Sequence, residues 1–115
     1  AAGFRKLAIM LSAEQIEDEK LALEYLRQEH EKATDQKLRR MLALRVARLE
    51  GLVRLRDLQR IYERRFGEPL KGPEQLVASG LTEALPVDPM RHGYEFVGGR
   101  FVLKKIRVAG VEVGQ

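Results

Sequence analysis

The feature that most constrains this fold is a stretch of 31 residues with helix signals at both of its ends. Thr34 and Asp35 stand in front of it, and both residue types favour the N-cap position. Gly67 follows it and suits the left-handed residue with which many helices end. The sequence therefore predicts one long helix from Gln36 to Phe66, around which the rest of the chain must pack.

The apolar positions of this helix fall into two sets that point in different directions. At about 100° per residue, the second set is rotated by roughly a quarter turn or more from the first. The first set is Leu38, Met41, Leu42, Val46, Leu49, Leu52 and Val53, and the second is Leu55, Leu58, Ile61, Tyr62 and Phe66. We therefore expect the first half to pack on the preceding helices and the second half on the elements that follow. Gly51 lies near the changeover, where it would allow a bend.

Two helices are predicted before the long one. Residues 3–12 place apolar side chains at helical spacing. Ser12 and Gln15 match a capping box, which predicts a second helix from Ala13 to Lys32. An acidic cluster lies near its start, where the helix dipole favours carboxylates, and is interpreted as a solvated face rather than a metal site. The cluster comprises Glu17, Asp18, Glu19 and Glu24.

The residues after the long helix predict a short helix and an extended segment. Residues 71–81 contain Pro73 at a suitable helix start and Gly80 at a suitable stop. Leu85 and Asp88 each precede a proline, which disfavours the α region for both. Asp88 is also expected to form a turn, because its carboxylate can accept hydrogen bonds from backbone N–H groups just downstream.

Residues 94–103 predict a β-hairpin around a two-residue Gly98-Gly99 turn. The predicted pairs are Val97 with Arg100, Phe96 with Phe101, Glu95 with Val102, and Tyr94 with Leu103. This register places Tyr94, Phe96, Phe101 and Leu103 on one face, which the second half of the long helix is expected to cover. A second hairpin over residues 106–113, with Arg107 opposite Glu112, is left open because alanine is poor where φ must be positive.

These elements together predict a mainly α fold. Residues 1–66 are expected to form a bundle of three helices, of which the third is long. Residues 67–115 are expected to form a short helix and a small C-terminal antiparallel β-hairpin subdomain. We predict that this subdomain packs on the end of the long helix, so that the two parts make one compact unit.

Residues 62–96 carry a pattern that extends over several elements. The pattern begins with an aromatic helix end, followed by Phe-Gly and a nearby proline. It continues with a short helix that ends in Leu-Val-x-x-Gly-Leu. It closes with Leu-Pro-x-Asp-Pro and a strand that contains Tyr. The residues of this motif are Phe66, Gly67, Pro69, Leu76, Val77, Gly80, Leu81, Leu85, Pro86, Asp88, Pro89 and Tyr94. The pattern resembles two bacterial groups: the C-terminal region of proteins with tetratricopeptide-like helical repeats, and the globular part of type II secretion pseudopilins.

The N-terminal half separates these two groups. A pseudopilin begins with a Phe-led apolar segment of membrane-spanning length that has Glu at its fifth position. Counted from Phe4, that position is Ala8, and the apolar run ends at Leu11. The chain therefore resembles the helical-repeat group more closely. This resemblance implies that residues 1–66 form a helical-repeat-like bundle and that the protein is a helper or scaffold.

The chain departs from this pattern after the second proline of the Leu-Pro-x-Asp-Pro segment. Met90, Arg91 and His92 stand where glycines usually follow Asp-Pro in the family. These three residues are therefore candidates for binding a partner.

The net charge of +4 is concentrated in the long helix. Residues 1–36 carry a net charge of −3 and residues 37–66 a net charge of +7, whereas residues 67–115 balance to zero. A nucleic-acid surface usually gathers its charges on one face, but here the basic residues are spread around the helix. This favours pairing with the acidic helix before it. One stripe, formed by Arg56, Arg60 and Arg64, is a candidate surface for a protein or nucleic-acid partner.

No combination of residues predicts catalysis, a metal site or a cofactor. The chain has no cysteine, and its two histidines, His30 and His92, are far apart in sequence. His92 and Asp88 lack the further ligands that a zinc site needs. No apolar run approaches the roughly 18–20 residues that span a bilayer, so we predict no membrane insertion by this segment.

The sequence therefore predicts a non-enzymatic protein–protein interaction or scaffold module, placed as the C-terminal cap of a longer helical-repeat protein. A cap of this kind covers the apolar face of the last repeat. Two alternatives stay open. One is a nucleic-acid-binding domain that uses the basic long helix, and the other is a pseudopilin-like secretion or pilus subunit that lacks its membrane segment. The resemblance implies a bacterial protein of the cytoplasm or the cell envelope, and the choice between them depends on a segment upstream of this sequence.

Overall fold

The computed structural model describes residue 9, residues 18–104, and the backbone of residues 106–108 and 111–113. The elements in chain order are α1 (Glu19–Lys32), α2 (Gln36–Phe66), α3 (Glu74–Ala78), β1 (Tyr94–Val97), β2 (Arg100–Leu103), β3 (Ile106–Val108) and β4 (Val111–Val113). The predicted mainly α class, with a long helix and a small C-terminal hairpin, is confirmed. The predicted helix over residues 3–12 lies outside the described residues, apart from Ile9, which is helical and buried.

The helix α1 begins later than predicted. Asp18 has an extended backbone (φ −84°, ψ 118°), and its Oδ1 accepts hydrogen bonds from Lys20 N at 2.8 Å and Leu21 N at 3.3 Å. The predicted start at Ala13 is therefore wrong, because an aspartate whose side chain bonds to nearby backbone N–H groups favours a cap over a helix interior. Ser12 and Gln15 lie outside the described residues.

Both predicted ends of α2 are confirmed. Asp35 caps the start by accepting a hydrogen bond from Leu38 N at 2.8 Å, and Gly67 ends the helix with φ 69°. The 31 residues between them give a rod of roughly 46 Å at about 1.5 Å per residue. Arg39 secures the turn that joins α1 to α2, since its Nη1 donates to the carbonyls of His30 and Ala33 at 3.1 and 2.9 Å.

α1 and the first half of α2 pack against each other through apolar side chains and exposed ion pairs. Arg27 approaches Glu50 at 3.5 Å, and Lys20 approaches Asp57 at 4.0 Å, so the two helices run antiparallel. Between the helices lies a buried row of small and branched aliphatic side chains. This row includes Ala22, Leu23, Leu26, Leu38, Leu42, Leu49 and Leu52.

The second half of α2 buries a different set of residues from the one predicted. Leu55, Leu58 and Tyr62 are buried as expected, but Ile61 and Phe66 are 40% and 47% exposed. Ile61 lies on a different side of α2 from the face that the hairpin contacts. Phe66 lies on the last turn and packs on the Tyr62 ring, with 4.7 Å between ring centroids.

The first hairpin has the predicted register at all four pairs, from Tyr94↔Leu103 to Val97↔Arg100. Its predicted apolar face is buried or half-buried, with Phe101 2% exposed and 5.0 Å from Phe96 between ring centroids. The second hairpin also forms, as a separate two-stranded sheet with Arg107 opposite Glu112.

Gly51 is a point of close approach between α2 and the first hairpin. α2 passes through this residue without interruption. A Cβ built at position 51 would overlap the Tyr94 hydroxyl oxygen and lie 2.7 Å from Tyr94 Cζ. The absence of a side chain at Gly51 is therefore what lets Tyr94 reach the helix backbone, where its hydroxyl donates to the carbonyl of Arg48 at 2.8 Å.

Candidate functional site: the connector and its apolar pocket

The connector, residues 81–93 between α3 and β1, is organised by the buried carboxylate of Asp88. Asp88 Oδ1 accepts a hydrogen bond from Met90 N at 2.9 Å, and Oδ2 accepts from Gly93 N at 2.8 Å and His92 N at 3.2 Å. The prediction that Asp88 forms a turn with downstream N–H groups is confirmed. The loop after Asp88 is a small anion-binding nest that the chain fills with its own carboxylate.

Arg48 on α2 is the second partner of Asp88. Its Nε lies 2.8 Å from Asp88 Oδ2, and both side chains are 1% exposed. The Nη2 of Arg48 donates to the carbonyl of Lys104, whereas Nη1 is buried with no hydrogen-bond partner within the described part of the chain. The ion pair thus joins the long helix to both the connector and the end of β2.

These contacts determine the ionisation of Asp88. Burial acts to raise the pKa of Asp88, but the hydrogen bonds from Met90 N–H, the Arg48 guanidinium and Gly93 N–H, together with the positive charge of Arg48, outweigh it and hold that pKa below the ordinary value of 3.8. The carboxylate accepts four hydrogen bonds, one on Oδ1 and three on Oδ2. It is therefore a structural anion and a poor base.

Arg91 has a left-handed backbone, with φ 64°, which is costly for a residue that carries a Cβ. Its N–H donates to the carbonyl of Asp88 at 3.0 Å, and the residues on both sides donate to the Asp88 carboxylate. The surrounding hydrogen bonds therefore impose this conformation. They present the exposed side chains of Arg91 and His92 on a fixed backbone.

Tyr94 closes the inner side of the connector. Its burial and the negative charge of Asp88 raise the pKa of Tyr94 from 10.0 to about 12. The hydroxyl is thus a neutral hydrogen-bond donor to Arg48 O at physiological pH.

Two further side chains of α2 hold the hairpin by its backbone carbonyls. Arg56 donates from Nε and Nη2 to the carbonyl of Phe101 at 2.9 and 2.8 Å, and its Nη1 pairs with Glu19. Gln59 donates from Nε2 to the carbonyl of Gly99 at 2.8 Å. The hairpin therefore lies along the middle of α2, from Arg48 to Gln59.

An apolar pocket of about 320 Å³ lies between α2, α3, the connector and the hairpin. Its apolar lining comes from Leu55, Pro73, Leu85, Pro86, Val87 and Phe101, and the Tyr94 ring completes it. Val87 is 87% exposed at the edge of this pocket, next to the fixed Asp88. The pocket thus combines an open apolar surface with a backbone that is held in one conformation.

The structure separates the sequence-predicted partner-binding residues into two groups. In the arginine stripe, Arg56 is committed to Phe101 O and Glu19, Arg60 pairs with Asp57 on its own helix, and Arg64 is exposed. In the second group, Arg91 and His92 are exposed and Met90 is half-buried. The connector therefore presents its candidates on one short loop.

Most residues of the sequence motif have conformational roles. Gly67 and Gly80 have positive φ at the ends of α2 and α3, Leu76 is fully buried, and Asp88 and Tyr94 make the contacts described above. Leu70, which follows Pro69, is buried, and its N–H donates to Glu63 Oε2 at 2.9 Å. Phe66, Pro69 and Pro89 are exposed, Leu81 and Pro86 are half-buried, and Val77 is 41% exposed.

Neither a metal centre nor a membrane span emerges from residues 18–104. Within the described part of the chain, no three acidic or histidine side chains gather as metal ligands would. No described helix combines the length and the hydropathy needed to cross a bilayer.

Sequence reasoning missed Arg48, Gly51 and Gln59 as site residues. Arg48 and Gln59 are 1% and 9% exposed, although polar side chains of this size are seldom buried without partners. One signal in the sequence could have indicated that Arg48 is buried: on a helical wheel it lies close to the apolar side chains of α2. Its partners, Asp88 and Lys104, lie 40 and 56 positions further along the chain, and helical periodicity cannot predict contacts at that separation.

A comparison of the chain with protein-family models, curated proteins and solved structures finds no match.

Proposed function

We propose that this chain is a non-enzymatic protein–protein interaction module whose binding surface is the connector with its apolar pocket. The observation that carries the proposal is an exposed apolar side chain on a fixed loop. Val87 is 87% exposed beside the pocket, and the neighbouring Asp88 accepts hydrogen bonds from four donors. A surface that is already ordered loses little conformational entropy when a partner binds, and this favours binding.

The strained backbone of Arg91 supports the same surface. Strained conformations are found preferentially at functional sites, where the surrounding structure holds them in place. The strain here lies in the loop that carries the exposed Arg91 and His92. A connector that served only to reverse the chain could place glycine at this position without that cost.

The nucleic-acid alternative receives less support from the contacts of α2. Arg56 is 16% exposed at its side chain and is engaged with Glu19 and Phe101, so the stripe does not offer three available cations. A direct test reverses Arg60, Arg64 and Arg65 to Glu and spares Arg56, which holds the hairpin. Retention of the wild type on heparin that falls steeply with salt and is lost in this variant would favour nucleic acid.

Site-specific photo-crosslinking in the native host tests the proposed function. A crosslinking side chain at Val87 is expected to capture a protein, which is then identified and purified. The purified protein should bind the wild type, and Val87→Glu should weaken that binding by at least about tenfold, because a charge in an apolar contact must be desolvated. A crosslinker at Arg40, which is exposed on α2, is the matched control and should capture nothing above background.

The same experiment separates the terminal-cap hypothesis from the connector surface. A cap contacts its neighbour through a helical face, where Leu44 on α2 is 44% exposed. A protein captured from Leu44 and not from Val87 would support the cap and overturn the connector as the binding surface.

A further inference from the structure

We infer that the pocket binds an acidic segment of a partner protein, in which an apolar side chain is followed or preceded by a carboxylate. This inference rests on the proposed function and specifies the chemistry of the partner. It is carried by two observations: the lining of the pocket and the charges on its rim.

The pocket recognises an apolar side chain because its polar groups are already committed. The buried Asp88 carboxylate accepts from four donors of this chain, and the Tyr94 hydroxyl donates to the α2 backbone. The remaining lining consists of aliphatic, proline and aromatic side chains. Its volume of about 320 Å³ is at the lower end of the range for ligand pockets, roughly 300–1,000 Å³, and suits one or two amino-acid side chains.

The rim of the pocket is cationic beside Gly93. Arg91 and His92 are exposed and lie within two residues of Gly93, which lines the pocket. Glu95 is also exposed within two residues of Gly93, but it alternates with the pocket-lining Tyr94 along β1 and so lies on the other face of that strand. Lys104, which directly follows β2, is also exposed, and its N–H donates to the Gly93 carbonyl at 3.2 Å, so a further basic residue is attached to the backbone beside Gly93. The nearby Asp88 contributes no free negative charge because it is paired with Arg48 at 2.8 Å.

On the Pro73 side, the rim of the pocket is acidic. Glu74 directly follows Pro73, Glu83 lies two residues before Leu85, and both are exposed. A partner segment that enters the pocket is therefore attracted by its carboxylate toward Gly93 and repelled from the Pro73 side. This polarity gives the segment an orientation, since complementary charge fixes register as well as rate of association.

A peptide-display experiment on the full chain tests this inference. The immobilised protein is screened against a random peptide library, and the enriched sequences are expected to combine a large apolar residue with Asp or Glu within a few positions. Binding of an enriched peptide is then measured by fluorescence anisotropy. The double variant Arg91→Glu, Lys104→Glu should bind it about tenfold more weakly, because two attractive exposed pairs become repulsive.

A charge swap keeps the test independent of folding. The double variant should bind the same peptide with its acidic residues changed to Lys better than the wild type does. The matched control, Arg40→Glu with Arg54→Glu, changes the net charge equally on exposed positions of α2 and should leave binding within about twofold. Affinity of the wild type should fall with added salt, since exposed charges are screened.

Several results would overturn the inference. Enriched peptides without acidic residues, no enriched peptide, equal loss in both double variants, or a pocket occupied in solution by a second copy of this chain would each do so. The proposed function fails separately, when crosslinking from Val87 yields no protein that binds in purified form. A captured partner that binds through a basic or neutral segment would leave the proposed function standing and remove the acidic specificity.

Discussion

The two sides of α2 are used by chemically different contacts. Toward α1, the helix offers leucines, with exposed ion pairs such as Arg27 and Glu50 at 49% and 50% side-chain exposure and one half-buried pair between Arg56 and Glu19. Toward the connector and hairpin, it offers Arg48, Arg56 and Gln59, which bind a buried carboxylate and backbone carbonyls. One helix thus supports α1 mainly by apolar packing, and it supports the β-hairpin by directed hydrogen bonds that add to the burial of Leu55 and Phe101.

Because of this difference, we expect the two regions to respond differently to substitution. Apolar packing is non-directional and tolerates swaps that preserve volume. A buried ion pair is the opposite: removal of one partner leaves an uncompensated charge, so the loss is large and local. The following variants test whether the two regions differ in this way, from the largest expected effect to the smallest.

Asp88→Ala is expected to have the largest effect, a loss of about 3–5 kcal/mol in the free energy of unfolding, because it leaves Arg48 buried and unpaired. Urea unfolding measures the loss, and amide hydrogen exchange should locate it in β1 and β2 rather than in α1. Adding Arg48→Met should recover part of the stability, since the unpaired charge is then gone. Equal loss of protection in α1 and the hairpin would remove the distinction between the regions.

Gly51→Ala tests the close approach of Tyr94 and should lower the free energy of unfolding by about 1–3 kcal/mol, because the new methyl group meets the Tyr94 side chain. In an unobstructed helix the same change stabilises by about 1 kcal/mol. The sign of the effect is therefore diagnostic in thermal unfolding. The change should become stabilising in a Tyr94→Ala background, and a stabilising effect in the wild type would mean that Tyr94 does not contact Gly51.

The stability of the connector side should depend on pH through Asp88. Its pKa is lowered on folding, so its contribution is complete above the ordinary value of 3.8 and is lost as the pH falls through the lower folded value. The free energy of unfolding of the wild type, compared with that of Asp88→Asn, should decrease below about pH 4 with a slope of at most about 1.4 kcal/mol per pH unit. Parallel pH profiles for the two proteins would show that Asp88 is not held as an anion.

Glu50→Ala should have the smallest effect, no more than about 0.5 kcal/mol, because the pair with Arg27 is exposed to solvent. Chemical unfolding at low and high salt measures it, and high salt should reduce the small difference further. A loss comparable to that of Asp88→Ala would contradict the assignment of the α1 side to apolar packing.

The sequence was sufficient wherever a local rule determined the structure. Asp35 and Gly67 marked the ends of α2, and Gly98-Gly99 predicted the hairpin register, because caps and two-residue turns act over a few positions. The turn at Asp88 was also predictable, because its donors are two to five residues away. The mainly α class followed from these signals.

The candidate site was predictable only in part, because its assembly depends on distant partners. Asp88 and the exposed Arg91 and His92 were identified, but Arg48 was not paired with Asp88, since 40 residues separate them. The start of α1 was misplaced because both Ser12 and Asp18 are residue types that favour the N-cap position, and residue preference alone does not choose between them. Gly51 was interpreted as a bend because the residue that needs its space, Tyr94, belongs to another element.

The pairing of Arg48 with Asp88 also sets an order of assembly during synthesis. α1 and α2 are complete in sequence before Asp88 and Lys104 leave the ribosome, and contacts across 40 and 56 residues close later than those within the helical hairpin. Until then, Arg48 has no carboxylate partner, and Leu55, which lines the pocket with Phe101, has no cover from the hairpin. The nascent chain therefore passes through a stage with an exposed apolar strip, which is the stage at which a chaperone or premature association would act on it.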